Sequence, residues 1–424
     1  MSTPDVDMQQ TEDKNNIIVD VCIVGAGLSG AYAAHRLLAD GKSVSILEAR
    51  HRVGGRLLTA DVPGGGGGGD LGGAWIWPES ERAMRQLTRM LRIKTVPMHL
   101  DGETVALTAD GERHVLPPGE AARYAACGGG AVRVSGGAAG MVRKLLRGDD
   151  DRSEDDNVSI HLGTRAVCVE HDGDGTIMIG ARPLSESNEE GEELSIRCRA
   201  AIFAAPPKVI ANTIKFRPAL PKSKMDSMLA TPTWMEDYGK VSASFPRNWW
   251  RALEMSAISI DQVRAVSTWW EACSGNGGDG SNPTLAGFVT SRGAKVMQTL
   301  EGAEAMHDYI IDSLEKLYGI DSTDMGIEKE RAVITTNGSA NGDGLAVSKG
   351  GATITYKSWL EDPYTHSASC TEIDFTTSYG ERELRAPVGP LFFAGTETAP
   401  GSGHMEGAIM SAQRAVDEVI QFLS

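Results

Sequence analysis

The sequence contains no apolar run of about 18 residues, the length that a transmembrane helix needs, so we expect no membrane span. Its N-terminus is polar and acidic, without a basic start or an apolar stretch, and we therefore expect no secretory signal. Basic residues are fewer than acidic ones: the chain has 41 Lys and Arg and 57 Asp and Glu, which gives a formal net charge of −16. Such a polyanion repels phosphate backbones, which disfavours nucleic acid as a partner.

The six cysteines lack the spacing of a metal or redox site, since even the closest pair, Cys168 and Cys198, is far apart in sequence. We therefore predict no metal, reduced thiols and a cytoplasmic protein. Hydrophobic residues make up 41% of the chain, which is ordinary for a globular protein and sufficient for a substantial core. The length of 424 residues predicts two or three domains.

Short β-type runs alternate with helical patterns along the chain, which predicts an α/β fold. Residues 19–24 form a nearly continuous apolar run with β-branched side chains, typical of a strand buried on both faces. Residues 28–39 have helical periodicity and residues 44–47 predict a second strand, so the three segments form a βαβ unit. Further elements are predicted as strands at 160–170, 176–180, 200–205 and 391–394, and as a helix at about 406–423.

A glycine-rich motif, GAGLSG at residues 25–30, follows the first strand directly and opens the first helix. In this position Gly25 allows a tight turn, Gly27 a close approach of backbone to a pyrophosphate, and Gly30 close packing of helix on strand. The helix N-terminus also offers N–H groups and a positive dipole end to the phosphates. Glu48, at the end of the second strand, is placed to accept both hydroxyls of an adenosine ribose, and its charge disfavours NADP.

The residues after Glu48 favour FAD over NAD as the dinucleotide. Glu48 begins a segment of the form ExxxxxGGR, which ends at Gly54, Gly55 and Arg56. An NAD dehydrogenase has no need for this second glycine turn. In two-dinucleotide flavoproteins it brings backbone and an arginine to the phosphates of an extended FAD.

Three further segments extend the pattern: DLGGAW at 70–75, AAPP at 204–207, and FFAGTETA at 392–399 followed by GHMEGA at 403–408. Together with the nucleotide motif, they resemble the flavin-containing amine oxidase family, which includes monoamine, polyamine and L-amino-acid oxidases. The resemblance implies a two-dinucleotide-binding, Rossmann-like FAD domain interleaved with a mixed α+β substrate domain. The predicted segments are a disordered acidic N-terminus at 1–15, an FAD domain at 16–78, 131–234 and 388–424, and a substrate domain at 79–130 and 235–387.

The resemblance also implies roles for single residues. Lys240 would hold a water that bridges to flavin N5, and its charge would favour the reaction with oxygen. Glu397 would accept hydrogen bonds from the ribityl chain, and the helix that begins near Glu406 would direct its amides at flavin N1 and the C2 carbonyl. Trp359 would pack against the isoalloxazine, and Val167 would lie against the adenine. The predicted cofactor-binding residues are Gly25, Gly27, Leu28, Ser29, Gly30, Glu48, Ala49, Arg50, Gly55, Arg56, Gly73, Ala74, Trp75, Val167, Trp359, Gly395, Thr396, Glu397 and Met405.

The sequence departs from the family pattern in three places. His404 stands where the family often has the second ring of an aromatic substrate cage, with the opposite ring near Ser369, so we expect a flat ring or a polar group there. Ala368 occupies the place of the cysteine that binds FAD covalently in monoamine oxidases, and Cys370 lies two positions late, which predicts non-covalent FAD. The family usually has a longer insertion between the DLGG segment and the next glycine turn, whereas only about sixty residues separate Gly73 from the turn at 135–137 here, so we expect much of the helical roof over the substrate to be missing. The arginine that binds substrate carboxylates in some amino-acid oxidases lies in that region of the family, and the sequence does not place it here.

The resemblance predicts an FAD-dependent oxidase that transfers hydride from the α-carbon of a neutral primary or secondary amine to flavin N5, with Lys240 and His404 as catalytic residues. The imine would hydrolyse to an aldehyde and ammonia or an amine, and oxygen would reoxidise the flavin to give hydrogen peroxide. An L-amino-acid oxidase and a desaturase-like flavoprotein are alternatives, and the missing roof also allows a flavin-binding partner protein with little turnover. The expected partners are an amine or amino-acid substrate and molecular oxygen. The sequence does not determine the oligomeric state, and a homodimer is one of the alternatives.

Overall fold

The computed structural model describes residues 16–61, 67–120, 127–147, 157–171, 175–185, 189–273, 282–328, 335–338, 344–366, 379–401 and 403–424. The predicted disordered segment 1–15 lies outside these residues, and so do Ala368, Ser369 and Cys370.

The strands are β1 (Asn16–Val24), β2 (Val44–Leu47), β3 (Thr59–Asp61), β4 (Gly67–Asp70), β5 (Trp75–Ile76), β6 (Thr95–Pro97), β7 (Glu103–Leu107), β8 (Arg113–Leu116), β9 (Val132–Val134), β10 (Val158–His161), β11 (Thr164–His171), β12 (Ile177–Pro183), β13 (Leu194–Phe203), β14 (Lys215–Arg217), β15 (Gly239–Ser244), β16 (Met255–Asp261), β17 (Val266–Cys273), β18 (Thr284–Val289), β19 (Thr335–Gly338), β20 (Leu345–Lys349), β21 (Ala352–Ser358) and β22 (Leu391–Phe393). The helices are α1 (Leu28–Ala39), α2 (Arg82–Met90), α3 (Ala139–Arg147), α4 (Pro207–Thr213), α5 (Lys222–Ala230), α6 (Trp249–Ala252), α7 (Ser291–Gln298), α8 (Ala303–Tyr318), α9 (Arg382–Arg385) and α10 (Met405–Leu423), with a 3₁₀ turn at Thr396–Thr398.

The first large sheet contains the predicted βαβ unit. Its strand order is β10-β2-β1-β13-β12-β11-β14, and β22 also pairs with β13. Strands β10, β2, β1, β13 and β22 are all parallel to their neighbours in this series, whereas β12 runs antiparallel to both β11 and β13. Parallel strands are covered on both faces, which explains the unbroken apolar run that the sequence shows in β1.

Helices α1 and α10 cover one face of this sheet. Val21 and Ile23 of β1 are fully buried there in one apolar cluster with Leu37 of α1 and Val416 of α10. On the other face, Phe203 of β13 belongs to a cluster that includes side chains of α4 and α5. Segments from near both ends of the described chain therefore pack side by side around β1.

The strand predicted at 160–170 is two strands, β10 and β11, separated by a turn at Gly163. Gly163 has a φ of +59°, and a Cβ at this position would lie 2.4 Å from the ring of His51. The turn lets β10 pair with β2 while β11 pairs with β12 and β14. The other differences are small, since α10 begins at Met405 and β13 begins at Leu194, earlier than the predicted elements.

The second large sheet has nine strands in the order β19-β20-β21-β15-β18-β17-β16-β7-β8. Its neighbours are antiparallel except for β7 and β16. Strand β15 pairs with both β21 and β18, and Val241 on β15 packs with Leu285 of β18 and with Ile310 and Leu314 of α8. This arrangement places Lys240, the residue before Val241, on a buried inner strand.

The two large sheets use alternating parts of the chain. The first takes strands from 16–47, 158–217 and 391–393, and the second takes strands from 103–116 and 239–358. The strands define the two sheets but not the limits of two domains, so the domain boundaries remain a prediction. Within the described residues, no helix has both the length and the apolar character needed to cross a membrane.

Candidate active site

A cavity of about 470 Å³ is lined by residues of both large sheets and of the loops that leave the first sheet. Most of the predicted cofactor-binding and catalytic residues lie in its wall. Those that line it are Gly25, Gly27, Leu28, Ser29, Glu48, Ala49, Arg50, Gly55, Arg56, Gly73, Ala74, Trp75, Lys240, Trp359, Gly395, Thr396, His404 and Met405. Gly30, Val167 and Glu397 do not line it.

Two glycine-rich turns form one wall of the cavity. The N–H of Gly54 donates to the carbonyl of Ala26 at 2.8 Å, and a Cβ on Gly55 would lie 3.1 Å from the Cα of Gly27. Gly30 lies behind this wall, where a Cβ would lie 1.9 Å from the carbonyl oxygen of Gly25. Gly30 therefore allows α1 to pack against the first turn, the role that the motif predicts, while the backbone of the two turns stays open to the cavity.

The carboxylate of Glu48 is fixed at the end of β2. Its Oε2 accepts from the N–H of Ala26 at 2.8 Å, and its Oε1 accepts from the N–H of Arg50 at 2.9 Å. The guanidinium of Arg50 donates to Asp362 at 2.5 Å and lies over the ring of Tyr364, 5.2 Å from its centroid. The sequence did not reveal this contact, because Asp362 is 312 residues away and belongs to the other sheet's segment.

Arg56 and Glu397 form a two-pronged ion pair. Nη1 donates to Oε1 at 2.6 Å and Nη2 donates to Oε2 at 3.1 Å, while the N–H of Trp234 also donates to Oε1. Burial opposes the charge of Arg56, but the facing Glu397 carboxylate raises the pKa of the guanidinium above its ordinary value. Glu397 is fully buried behind Arg56, so its predicted contact with a ribityl chain stays a prediction.

The predicted adenine neighbour, Val167, lies on β11 just beyond the cavity wall. Thr164, Arg165 and Ala166 of the same strand line the cavity instead. The predicted contact of Val167 with adenine therefore stays a prediction.

Lys240 projects from β15 towards the DLGG turn. Its Nζ donates to the carbonyl of Gly72 at 2.6 Å and lies about 5 Å from the ring centroids of Trp270 and Phe288. Lys240 is only 5% exposed, and this burial lowers the pKa of its ammonium to about 8, against the opposing attraction of the Asp70 carboxylate. Burial likewise raises the pKa of Asp70 to about 6, although Thr59 and the N–H of Ala138 bond the charged form.

His404 and a set of indole rings form the other end of the cavity. The imidazole is stacked on Trp77, with ring centroids 5.0 Å apart and planes at 17°, and it meets Trp234 edge-on at 5.8 Å. Its Nδ1 lies 2.9 Å from Oε1 of Glu81. The sequence left His404 open as a flat ring or a polar group, and it missed Trp77 and Glu81, although both follow closely after the DLGG segment.

The start of α10 lies against the DLGG turn. A Cβ on Gly73 would lie 3.6 Å from Cγ of Met405, and the hydroxyl of Thr396 donates to the carbonyl of His404 at 2.8 Å. Within the described part of the chain, no side chain caps the N-terminus of α10. Trp359 completes this region, because its indole N–H donates to the carbonyl of Leu71 at 2.9 Å.

Comparisons with known proteins agree with this geometry. Residues 120–420 match the family described as flavin containing amine oxidoreductase, and residues 23–91 match the NAD(P)-binding Rossmann-like domain. Flavin-containing amine oxidase A of Sus scrofa is 26% identical over 98% of this chain and 88% of its own length. Putrescine oxidase of Kocuria rosea is 25% identical over 95% of each chain.

Solved structures share the fold. Wild-type putrescine oxidase bound to putrescine has a TM-score of 0.68 at 19% identity, covering 96% of this chain and 100% of its own. Cyclohexylamine oxidase from Brevibacterium oxydans IH-35A has a TM-score of 0.66 at 20% identity, covering 96% and 99%. The matches confirm the predicted α/β fold with a Rossmann-like dinucleotide-binding part.

Proposed function

Because the chain belongs to the flavin-containing amine oxidoreductase family, as its motifs predicted, we propose that it is an FAD-dependent amine oxidase. The observation that carries this proposal is that one cavity joins the glycine turns, the buried Lys240 and a group of aromatic rings. Bound FAD would accept hydride from the α-carbon of a neutral amine and pass its electrons to oxygen, which leaves as hydrogen peroxide.

The residues present fit FAD. Gly25 and Gly27 leave space that a Cβ would fill, and the first residues of α1, whose N-terminus no described side chain caps, line the same cavity, which suits a pyrophosphate. Glu48 would hold the adenosine ribose, and Arg56, held by its ion pair, would face the phosphates. The uncapped start of α10 would lie at the flavin ring, where its dipole favours the negative charge of the reduced form.

The charges around the cavity favour an amine over an amino acid as substrate. All three arginines that line it already have carboxylate partners: Arg50 bonds Asp362, Arg56 bonds Glu397 and Arg165 bonds Glu190. A substrate carboxylate would therefore find no unpaired arginine in the described lining. The rings of Trp75, Trp77 and Phe288 instead suit an apolar or aromatic substituent. We propose a primary or secondary amine with such a substituent, of which the cyclohexylamine in the name of one similar oxidase is an example.

A matched pair of compounds tests this proposal. Phenethylamine and L-phenylalanine differ by one carboxylate, so each is mixed anaerobically with the purified yellow protein and flavin absorbance is followed. We expect phenethylamine to bleach the flavin and L-phenylalanine to leave it oxidised. Bleaching by L-phenylalanine would point to an amino-acid oxidase, and bound flavin that no amine in a wider panel reduces would favour a binding role.

Three finer assignments belong to the same proposal. We propose that the FAD is non-covalent, that oxygen is the electron acceptor and that the protein works in the cytoplasm. Among the described residues no disulfide joins the five cysteines, which fits a reducing compartment. Sedimentation of the yellow protein would decide whether it is a homodimer.

A further inference from the structure

We propose that Glu81 and His404 form a pair that accepts the proton of the substrate ammonium, so that the amine reaches the redox centre as the neutral base. The inference rests on the proposed function, because it concerns the protonation step that amine oxidation requires. An aliphatic amine is almost wholly protonated at pH 7, since its pKa is about 10. A nitrogen that carries four bonds has no lone pair with which to assist loss of hydride, so a proton acceptor beside the amine raises the fraction that reacts.

The hydrogen-bond partners of Glu81 determine which nitrogen of His404 carries hydrogen. Oε2 of Glu81 accepts from the backbone N–H of Trp77 at 2.9 Å, and Oε1 lies 2.9 Å from Nδ1 of His404. An ionised carboxylate can only accept, so Nδ1 must be the protonated nitrogen of the neutral ring. Nε2 then has a lone pair, and no described residue donates a hydrogen bond to it.

The surroundings hold the Glu81 carboxylate and the His404 ring in place. Glu81 is 6% exposed and stands at the first position before α2, where the positive end of the helix dipole favours a negative charge. His404 is clamped between Trp77 and Trp234, and the indole N–H of Trp77 is itself fixed by the carbonyl of Gly128 at 2.8 Å. The side chain of His404 is 34% exposed, which leaves a path for the proton to water.

The other charged groups near His404 are already engaged. Glu406, on the same helix, accepts from the N–H groups of Ala83 and Met84 at 2.8 and 2.7 Å. Arg56 donates to the carbonyl of Trp234 and is neutralised by Glu397. Lys240 lines the same cavity but donates to the carbonyl of Gly72, so it cannot accept a proton from the substrate while charged.

The proposed step is a simple proton transfer. An N–H bond of the ammonium breaks, its electron pair stays on the amine nitrogen, and the proton forms a bond to Nε2 of His404. The resulting imidazolium is stabilised by the Glu81 carboxylate through the Nδ1–H bond, so the proton stays on His404 while the amine is bound and passes to solvent only after turnover. His404 is thus a catalytic residue, and Glu81 is a positioning residue that acts through it.

The test follows anaerobic flavin reduction by phenethylamine between pH 6 and pH 10. His404→Phe keeps a flat ring on Trp77 but removes the acceptor, so we expect reduction about 100- to 1000-fold slower at pH 7, recovering to near the wild-type rate at pH 10, where free amine is abundant. Glu81→Gln should slow reduction about 10-fold or more at pH 7 with the same recovery. Glu79→Gln, an exposed carboxylate two positions earlier, is the matched control and should match wild type throughout.

A second readout does not depend on turnover. tert-Butylamine has no hydrogen on its α-carbon, so its binding can be measured by calorimetry in buffers of different ionisation enthalpy. Wild type should release little or no proton to the buffer, whereas His404→Phe should release about one per site because it binds the neutral amine. If the variants lost the same fraction of the flavin-reduction rate at every pH, or if wild type and His404→Phe released the same number of protons, the proposal that Glu81 and His404 accept the substrate proton would be refuted. Wild-type flavin that no amine reduces would instead refute the proposed function, and the pair with it.

Discussion

Lys240 offers the sharpest test of how the cavity handles oxygen. Its ammonium is buried on β15 and donates to the carbonyl of Gly72 at 2.6 Å. Replacing it by methionine keeps a chain of similar length and removes the charge. We expect Lys240→Met to retain FAD, because Lys240 donates to carbonyls of the DLGG turn and not to the glycine turns or Glu48. The variant should react more slowly with oxygen once reduced.

The size of the effect follows from Coulomb's law. The rings that surround the ammonium have their centroids about 5 Å from Nζ. A unit negative charge developing in the cavity at about 5 Å, with an effective dielectric constant of about 20, is stabilised by about 3 kcal/mol. Since about 1.4 kcal/mol corresponds to one factor of ten, a loss of about 3 kcal/mol should slow reoxidation by about 100- to 200-fold.

The pH dependence has a definite sign. Burial lowers the pKa of Lys240 to about 8, so the residue is charged below that pH and neutral above it. Reoxidation of the wild-type protein should therefore slow as the pH rises through about 8, and Lys240→Met should lack this change.

Stopped-flow mixing of the anaerobically reduced protein with oxygenated buffer measures both effects. Lys224→Met is the matched control, because Lys224 is also buried but donates to the carbonyls of Glu383, Leu384 and Ala386 and does not line the cavity. It should lower stability and leave reoxidation unchanged. A Lys240→Met protein with full flavin content and the wild-type rate would remove Lys240 from the oxygen reaction.

Three other perturbations probe the cofactor site. Glu397→Gln leaves Arg56 without its buried carboxylate partner, so the free energy of unfolding should fall by about 3 kcal/mol and the flavin content of the purified protein should fall with it. An unchanged denaturation midpoint together with unchanged flavin absorbance would contradict this role of the ion pair. Gly30→Ala places a Cβ 1.9 Å from the Gly25 carbonyl and should abolish FAD binding, whereas Gly140→Ala, in open space on α3, should be neutral or stabilising by up to about 1 kcal/mol. Acid precipitation should leave all the flavin in the supernatant, and a yellow pellet would refute the non-covalent assignment.

The local parts of this fold were predictable from sequence. The βαβ unit and its glycine turn need only neighbouring residues, because apolar periodicity and glycine spacing define each element in place. The strand at 160–170 was wrongly predicted as one element, since its β-type residues continue past Gly163 and only the ring of His51 explains the turn.

The contacts that complete the site were not predictable in the same way. Arg56 and Glu397 are 341 residues apart and Glu81 and His404 are 323 apart, so no short motif joins them. The resemblance supplied single residues such as Lys240, whereas pairing depends on how the two sheets pack. Trp77 was missed because a tryptophan after a family motif looks like an ordinary core residue.

The side-by-side packing of α1 and α10 has a consequence for biosynthesis. Strand β1 leaves the ribosome early, but its neighbour β13 begins only at Leu194, and β22 and α10 follow at Leu391 and Met405. A nascent chain can therefore display the glycine turn without a closed pocket behind it until α10 has been made. Cofactor capture is expected to be a late event, and chains shortened before α10 should accumulate as colourless, aggregation-prone protein even when their first βαβ unit is intact.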